Sequence, residues 1–172
     1  QEKSMAILDK IKEAAPDMFL MIGDNVYGDN PTGELSRLAS AYAKQKENFV
    51  LMNPGFPVEA IWDDHDYGIN DGGIEHPNKE EAETMFFDFW EINSGDIRRT
   101  RPGLYWEQRL QLSGKTVQII TLDTRYFRDP LDLTDEYGAD GKERYLSTDD
   151  TTRSMLGISQ WLWLEEKLLA PA

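Results

Sequence analysis

The chain has 172 residues, a length typical of one domain with its own hydrophobic core. It contains 32 Asp and Glu against 18 Lys and Arg, and the net charge of −14 disfavours binding to nucleic-acid backbones and anionic membranes. Cysteine is absent, which excludes disulfides and thiolate metal sites within this sequence, and no apolar run approaches the roughly 18 residues of a membrane span.

Apolar periodicity and turn residues predict alternating helices and strands along the chain. The first half reads as a helix at 4–15, a strand at 18–22, a helix at 33–52, a strand at 58–62, a loop at 63–78 and a helix at 79–92. The second half reads as strands at 104–112 and 116–122, a polar segment at 125–154 and a helix at 157–170. This order predicts an α/β fold with a buried sheet, in which the chemistry lies beyond the carboxyl ends of the strands.

Oxygen-bearing side chains follow both of the first two predicted strands. Asp24 and Tyr27 come directly after the first strand. The second strand is followed by an Asp-rich tract at 63–66 that contains Asp64 and His65. Carboxylate and phenolate oxygens are hard donors that suit iron, calcium, magnesium or manganese. We therefore predict metal ligands at this edge of the sheet. If the tract is extended, His65 points away from Asp64 and serves a different role.

Each of these residues also has an ordinary structural explanation. Asp24 fits a helix N-cap or an Asx-turn, the tract at 63–66 fits a solvated loop, and His65 fits a loop histidine. Their joint occurrence favours a site, because neighbouring carboxylates repel one another unless a cation or a basic group is near. Asp29 is ambiguous, since it also fits a turn cap, and we expect His76 to be a surface loop residue.

Longer motifs carry a family resemblance. They are IGDNVYGD at 22–29, IWDDHDYGIND at 61–71, LDTR at 122–125 and LGISQWLWL at 156–164. In this order the sequence resembles the calcineurin-like metallophosphoesterase superfamily, and within it most closely the alkaline phosphatase D type. The resemblance implies that the chain is part of a four-layer sandwich, with helices packed on two mixed β-sheets. It also implies that residues 1–172 are the central part of a catalytic domain, without its first and last metal-ligand motifs.

The resemblance implies a role for each matching residue. Asp24 matches the aspartate that bridges two metals, and Tyr27 matches a tyrosine that binds ferric iron. Asp64 stands where the superfamily has a metal-binding asparagine. His65 matches a histidine that reaches the phosphate as an acid or charge stabiliser. The implied cofactors are two divalent or trivalent ions, iron with calcium, with zinc, manganese or magnesium as alternatives.

The implied function is hydrolysis of a small phosphate ester, by a phosphomonoesterase or a phosphodiesterase. Members of this type are often exported, so we expect a periplasmic or secreted protein whose export signal lies outside this sequence. The alternative is a non-catalytic acidic module that keeps the fold and binds cations or a protein partner. Arg125, after the strand at 116–122, either holds a substrate phosphate or forms an ion pair with Asp123 or Asp129.

Overall fold

A computed structural model describes residues 6–52, 55–140 and 142–170 of the chain. Its helices are α1 (Ala6–Ala14), α2 (Ser36–Met52), α3 (Asp64–Tyr67), α4 (Lys79–Phe89) and α5 (Gly157–Leu169), with a 3-10 turn at Ile97–Thr100. Its strands are β1 (Phe19–Ile22), β2 (Val58–Ile61), β3 (Trp106–Leu112) and β4 (Lys115–Thr121). β1 pairs with β2 in parallel, and β3 pairs with β4 antiparallel. This mixed architecture confirms the predicted α/β class.

The two parallel strands end level with each other. Their register runs to the pair Ile22 and Ile61, so the chain leaves both strands at the same edge of the sheet. Gly23 allows the two chain segments to approach each other, because a Cβ atom there would lie 2.6 Å from the Cβ of Asp63. Its φ of +116° is also a backbone conformation that residues other than glycine rarely adopt. The segments that follow β1 and β2 therefore lie side by side.

A cluster of aromatic side chains packs beside the edge where β1 and β2 end. Trp62 is only 2% exposed and meets Tyr67 and Phe86 edge-on, at ring-centroid distances of 4.9 and 5.6 Å. Edge-to-face packing of large rings both buries apolar area and fixes orientation. Since Trp62 directly precedes the acidic tract and Tyr67 directly follows it, this packing anchors the tract at both ends.

A buried carboxylate joins the second half of the chain to the core. Asp123 is fully buried and accepts hydrogen bonds from Trp62 Nε1 at 2.9 Å and from the Leu104 amide at 2.9 Å. Gln160 of α5 forms two hydrogen bonds with the Asp123 backbone. Its Oε1 accepts from the Asp123 amide and its Nε2 donates to the Asp123 carbonyl, both at 2.8 Å. The motifs at 122–125 and 156–164 therefore meet in space.

His76 is buried, so the prediction of a surface residue is wrong. Its ring is 2% exposed and lies edge-on to Tyr67 at 4.9 Å. Nε2 donates to the Tyr67 carbonyl at 3.0 Å, and Nδ1 accepts from the Asn78 amide at 3.1 Å. The polar loop at 63–78 folds back over the ring, and Gly33 leaves room for it, since a Cβ there would lie 3.0 Å from Nδ1.

Two further details of the elements differ from the sequence predictions. The loop predicted at 63–78 contains the short helix α3, and the helix predicted at 79–92 ends at Phe89. The first two residues of the helix predicted at 4–15 lie outside the described residues. Within the described ranges, no helix has the length and apolar character needed to cross a membrane.

Candidate metal centre

Three side chains at the edge of the parallel sheet converge on one point. Asp24, Asp64 and His65 each offer a ligand atom, and these atoms all lie within 4.8 Å of one another. His65 therefore faces the same point as Asp64, contrary to the expectation for an extended tract. The reason is local: α3 begins at Asp64, so the two side chains diverge by about 100° and not by the roughly 180° of an extended strand.

The Asp24 carboxylate has one oxygen available to a cation. Its Oδ1 is buried, and no described residue donates a hydrogen bond to it. A buried polar atom without a hydrogen-bond partner destabilises the fold by about 1–3 kcal/mol, and a charged group by more. The backbone of Asp24 has a φ of +51°, in the left-handed region, which aspartate adopts more often than most other non-glycine residues. A cation bound to Oδ1 would supply the partner that this oxygen lacks.

Tyr27 lies at the rim of the same point. Its hydroxyl donates to Asp24 Oδ2 at 3.1 Å, and its ring lies 4.4 Å from the ring of His65. The hydrogen bond to Asp24 raises the pKa of Tyr27, so the phenol is held in its protonated form by the protein alone. At 57% exposure the ring is accessible from solvent.

The Asp64 carboxylate is fixed by two backbone amides. Oδ2 accepts from the Asp71 amide at 2.7 Å, and Oδ1 accepts from the His65 amide at 3.1 Å. Burial opposes ionisation here, but the Asp71 amide and the charge of Arg125 outweigh it and hold the pKa of Asp64 below its usual value. Asp64 is therefore an ionised, oriented and buried ligand candidate.

Asp29, which the sequence left ambiguous, orients His65. Its Oδ1 lies 2.6 Å from His65 Nδ1, across 36 residues of sequence. Burial acts against the charged imidazole, yet the hydrogen bond to Asp29 raises the pKa of His65 above its usual value. With Nδ1 held by Asp29, Nε2 is the nitrogen that remains for a ligand or substrate.

The other two carboxylates of the tract serve the fold. Asp63 pairs with Arg125, whose Nε donates to its Oδ1 at 2.5 Å. Arg125 thus forms an internal ion pair, but with Asp63 and not with Asp123 or Asp129. Asp66 is fully buried, and its carboxylate accepts from the Asp63 amide at 2.6 Å. Burial raises the pKa of Asp66 to about 7.

A family comparison adds to this geometry. The family model for PhoD-like phosphatases matches residues 1–172. The chain belongs to the PhoD-like phosphatase family. Searches of curated proteins and of solved structures give no match. The family confirms the predicted resemblance and indicates a phosphoesterase of the hydrolase class.

The residues at the strand ends fit the metal dependence of PhoD-like phosphatases. The converging group combines two carboxylates with an imidazole, a donor set that suits hard or borderline cations, and one of its oxygens lacks a partner. Within the described residues, no second group of three or more Asp, Glu or His is arranged to hold an ion. The strand ends are therefore where these residues would hold a metal.

Proposed function

We propose that this protein hydrolyses small phosphate esters, monoesters or diesters, at a centre of two metal ions. Asp24, Tyr27 and Asp64 supply ligands, with Asp24 between the two ions, and His65 acts as the acid. The proposal rests on the convergence of Asp24, Asp64 and His65 within 4.8 Å in a PhoD-like phosphatase. Iron with calcium is the proposed metal pair, with zinc, manganese or magnesium as alternatives.

The side chains of the site have distinct tasks in this proposal. Bound cations would lower the pKa of a coordinated water and neutralise the charge of the phosphate oxygens. His65, oriented by Asp29, presents Nε2 to the leaving oxygen and donates a proton to it. Arg125 contributes positive charge beside Asp64 and Asp63, which lowers the electrostatic barrier to an anionic substrate.

The net charge of −14 argues against nucleic acid as a partner, so the proposed substrate is a small ester. We also propose a periplasmic or secreted location, on the strength of the family resemblance. Neither property follows from the geometry of the site.

The full-length protein tests the function directly. We expect hydrolysis of p-nitrophenyl phosphate or of bis-p-nitrophenyl phosphate, and a loss of at least about a hundredfold in Asp24→Asn and His65→Gln. Asp149→Asn is the matched control, because Asp149 is exposed and its change removes the same charge. Elemental analysis of the same preparations measures bound metal, which we expect to fall in Asp24→Asn.

Two outcomes contradict the proposal. Full activity in both site variants would show that the chemistry lies elsewhere. Metal binding without hydrolysis of either ester would favour the alternative, a non-catalytic module that binds cations.

A further inference from the structure

The Asp64 carboxylate is hydrogen-bonded to a loop, and more distant residues hold that loop in place. Asp71, seven residues further along the chain, donates its amide to Asp64 Oδ2 at 2.7 Å. The backbone of Asp71 has a φ of +54°, in the left-handed region that a single aspartate can adopt when local hydrogen bonds favour it. The direction of this amide therefore depends on whatever fixes Asp71.

One support is a tyrosine from the distant polar segment. Tyr145 donates its hydroxyl to Asp71 Oδ2 at 2.7 Å, across 74 residues of sequence. Arg144 lies 3.7 Å from the same oxygen, and Asn70 donates to it at 2.8 Å. Oδ2 of Asp71 thus has three polar partners, Tyr145, Arg144 and Asn70.

The other support is Arg128, which forms hydrogen bonds with the backbone of the loop that contains Asp71. Its Nη2 donates to the Asp71 carbonyl and, at 3.1 Å, to the Gly72 carbonyl. The Arg128 carbonyl accepts from the Ile74 amide at 2.8 Å. The two backbones cross so closely that a Cβ atom on Gly73 would lie 2.4 Å from the Arg128 carbonyl oxygen, so glycine is required there.

From these contacts we infer that Asp71 is a positioning residue of the metal centre, and that Tyr145 and Arg128 hold it in place. Asp71 acts through its amide, which fixes the rotation of the Asp64 carboxylate and leaves its remaining lone pairs directed at the converging group. The inference rests on the proposed function, because it takes Asp64 as a metal ligand. It gives the polar segment at 125–154 a role that its sequence pattern does not indicate.

Outer hydrogen bonds of this kind tune metal affinity, commonly by about 10–100-fold when they are removed. A loop that is only structural would instead affect the stability of the protein and leave the affinity of folded molecules unchanged. Metal affinity and metal-free melting temperature therefore separate the two roles.

The test uses the full-length protein stripped of metal and titrated with Mn²⁺ alone in a calorimeter. We expect Tyr145→Phe, which removes one hydroxyl, to bind Mn²⁺ about tenfold more weakly with little change in the metal-free melting temperature. Tyr126→Phe is the matched control. Tyr126 is 5% exposed and lies in the loop after β4, and its hydroxyl forms no hydrogen bond within the described residues.

A second pair of variants guards against loss of the fold. Asp71→Asn keeps the amide, an acceptor for Tyr145 and tolerance of the left-handed backbone, whereas Asp71→Gly keeps the amide but removes the acceptor. We expect Asp71→Asn to bind Mn²⁺ more tightly than Asp71→Gly.

The outcomes distinguish this inference from the proposed function. Wild-type affinity in both Tyr145→Phe and Asp71→Gly would overturn the positioning role while leaving the metal centre in place. A wild-type protein that binds no Mn²⁺ at all would refute the metal centre and the inference together.

Discussion

The buried carboxylate of Asp123 provides the sharpest test of how this fold is held together. Four neutral N–H groups donate to it: Trp62 Nε1 and the amides of Leu104, Arg125 and Tyr126, at distances between 2.9 and 3.0 Å. Asp123→Asn changes almost nothing in shape, but it replaces one acceptor oxygen with an NH₂ group that must face a donor.

The expected cost follows from these contacts. If the NH₂ group takes the place of Oδ2, the Leu104 amide loses its acceptor, and a buried donor without a partner costs about 1–3 kcal/mol. The three bonds to Oδ1 lose their charge assistance, which adds about 0.5 kcal/mol each. We therefore expect Asp123→Asn to lower the free energy of unfolding by about 3 kcal/mol, or the melting temperature by about 6–12 °C.

Urea titration followed by tryptophan fluorescence measures this loss, because Trp62 itself donates to Asp123. Asp88→Asn is the control: Asp88 is exposed, and among the described residues its carboxylate pairs with Arg99 at the surface, so its loss should cost less than about 1 kcal/mol. A loss below about 1 kcal/mol in Asp123→Asn as well would refute the reasoning, since the buried network would then contribute no more than a surface ion pair.

Two further predictions concern buried titratable groups. Burial raises the pKa of Glu83 to about 7, so the folded protein holds a proton that the unfolded chain releases near its ordinary pKa of 4.5. Stability from this group is therefore full below about pH 4.5 and is lost as pH rises through about 7, and Glu83→Gln should raise the melting temperature at about pH 8 but not at about pH 4. An equal effect at both values would contradict the assignment. Burial lowers the pKa of His76, so the unfolded chain takes up a proton first as pH falls below about 6.5, and stability falls with it. His76→Leu should remove that slope in urea titrations at stepped pH, while costing about 2 kcal/mol at neutral pH from the two lost hydrogen bonds; an unchanged slope would refute a buried neutral histidine.

The sequence predicted the parts of this site that depend on local pattern. Two short apolar runs between turn residues became β1 and β2, within one residue of their predicted ends. Because parallel strands end at one edge, the proximity of Asp24 and Asp64 followed from strand order alone. The oxygen donors at the two strand ends supplied the hypothesis of a metal site, and the family motifs then supplied a role for each residue.

Other features depend on contacts between distant parts of the chain, which no local pattern encodes. Asp29 meets His65 across 36 residues, and Arg125 meets Asp63 across 62. The burial of His76 likewise depends on Gly33, 43 positions earlier, leaving space for the ring. A histidine in a polar loop looks exposed in sequence because the residues that cover it are not its neighbours.

Several carboxylates lie close together at the ends of β1 and β2, in a protein whose net charge is −14. Because such carboxylates repel one another, their charges need partners if the fold is to be stable. Asp63 is neutralised by Arg125, Asp29 is paired with His65, and Asp66 is surrounded by N–H donors with its pKa raised. Each of these three therefore has a partner within the protein.

Asp24 and Asp64 are the exceptions, and they differ from each other. Asp64 is held by amides that donate to each oxygen, and it lies near the positive charge of Arg125, whereas no described residue donates to the buried Oδ1 of Asp24. Asp63, Asp29 and Asp66 thus have their partners within the fold, whereas Asp24 and Asp64 converge with His65. A cation bound between them would supply the contact that Asp24 Oδ1 lacks among the described residues, and would add positive charge beside Asp64. Negative charge spread over the rest of the surface does not draw in a phosphate ester, so a cation bound here, together with Arg125 beside Asp63, would have to supply the attraction of substrate.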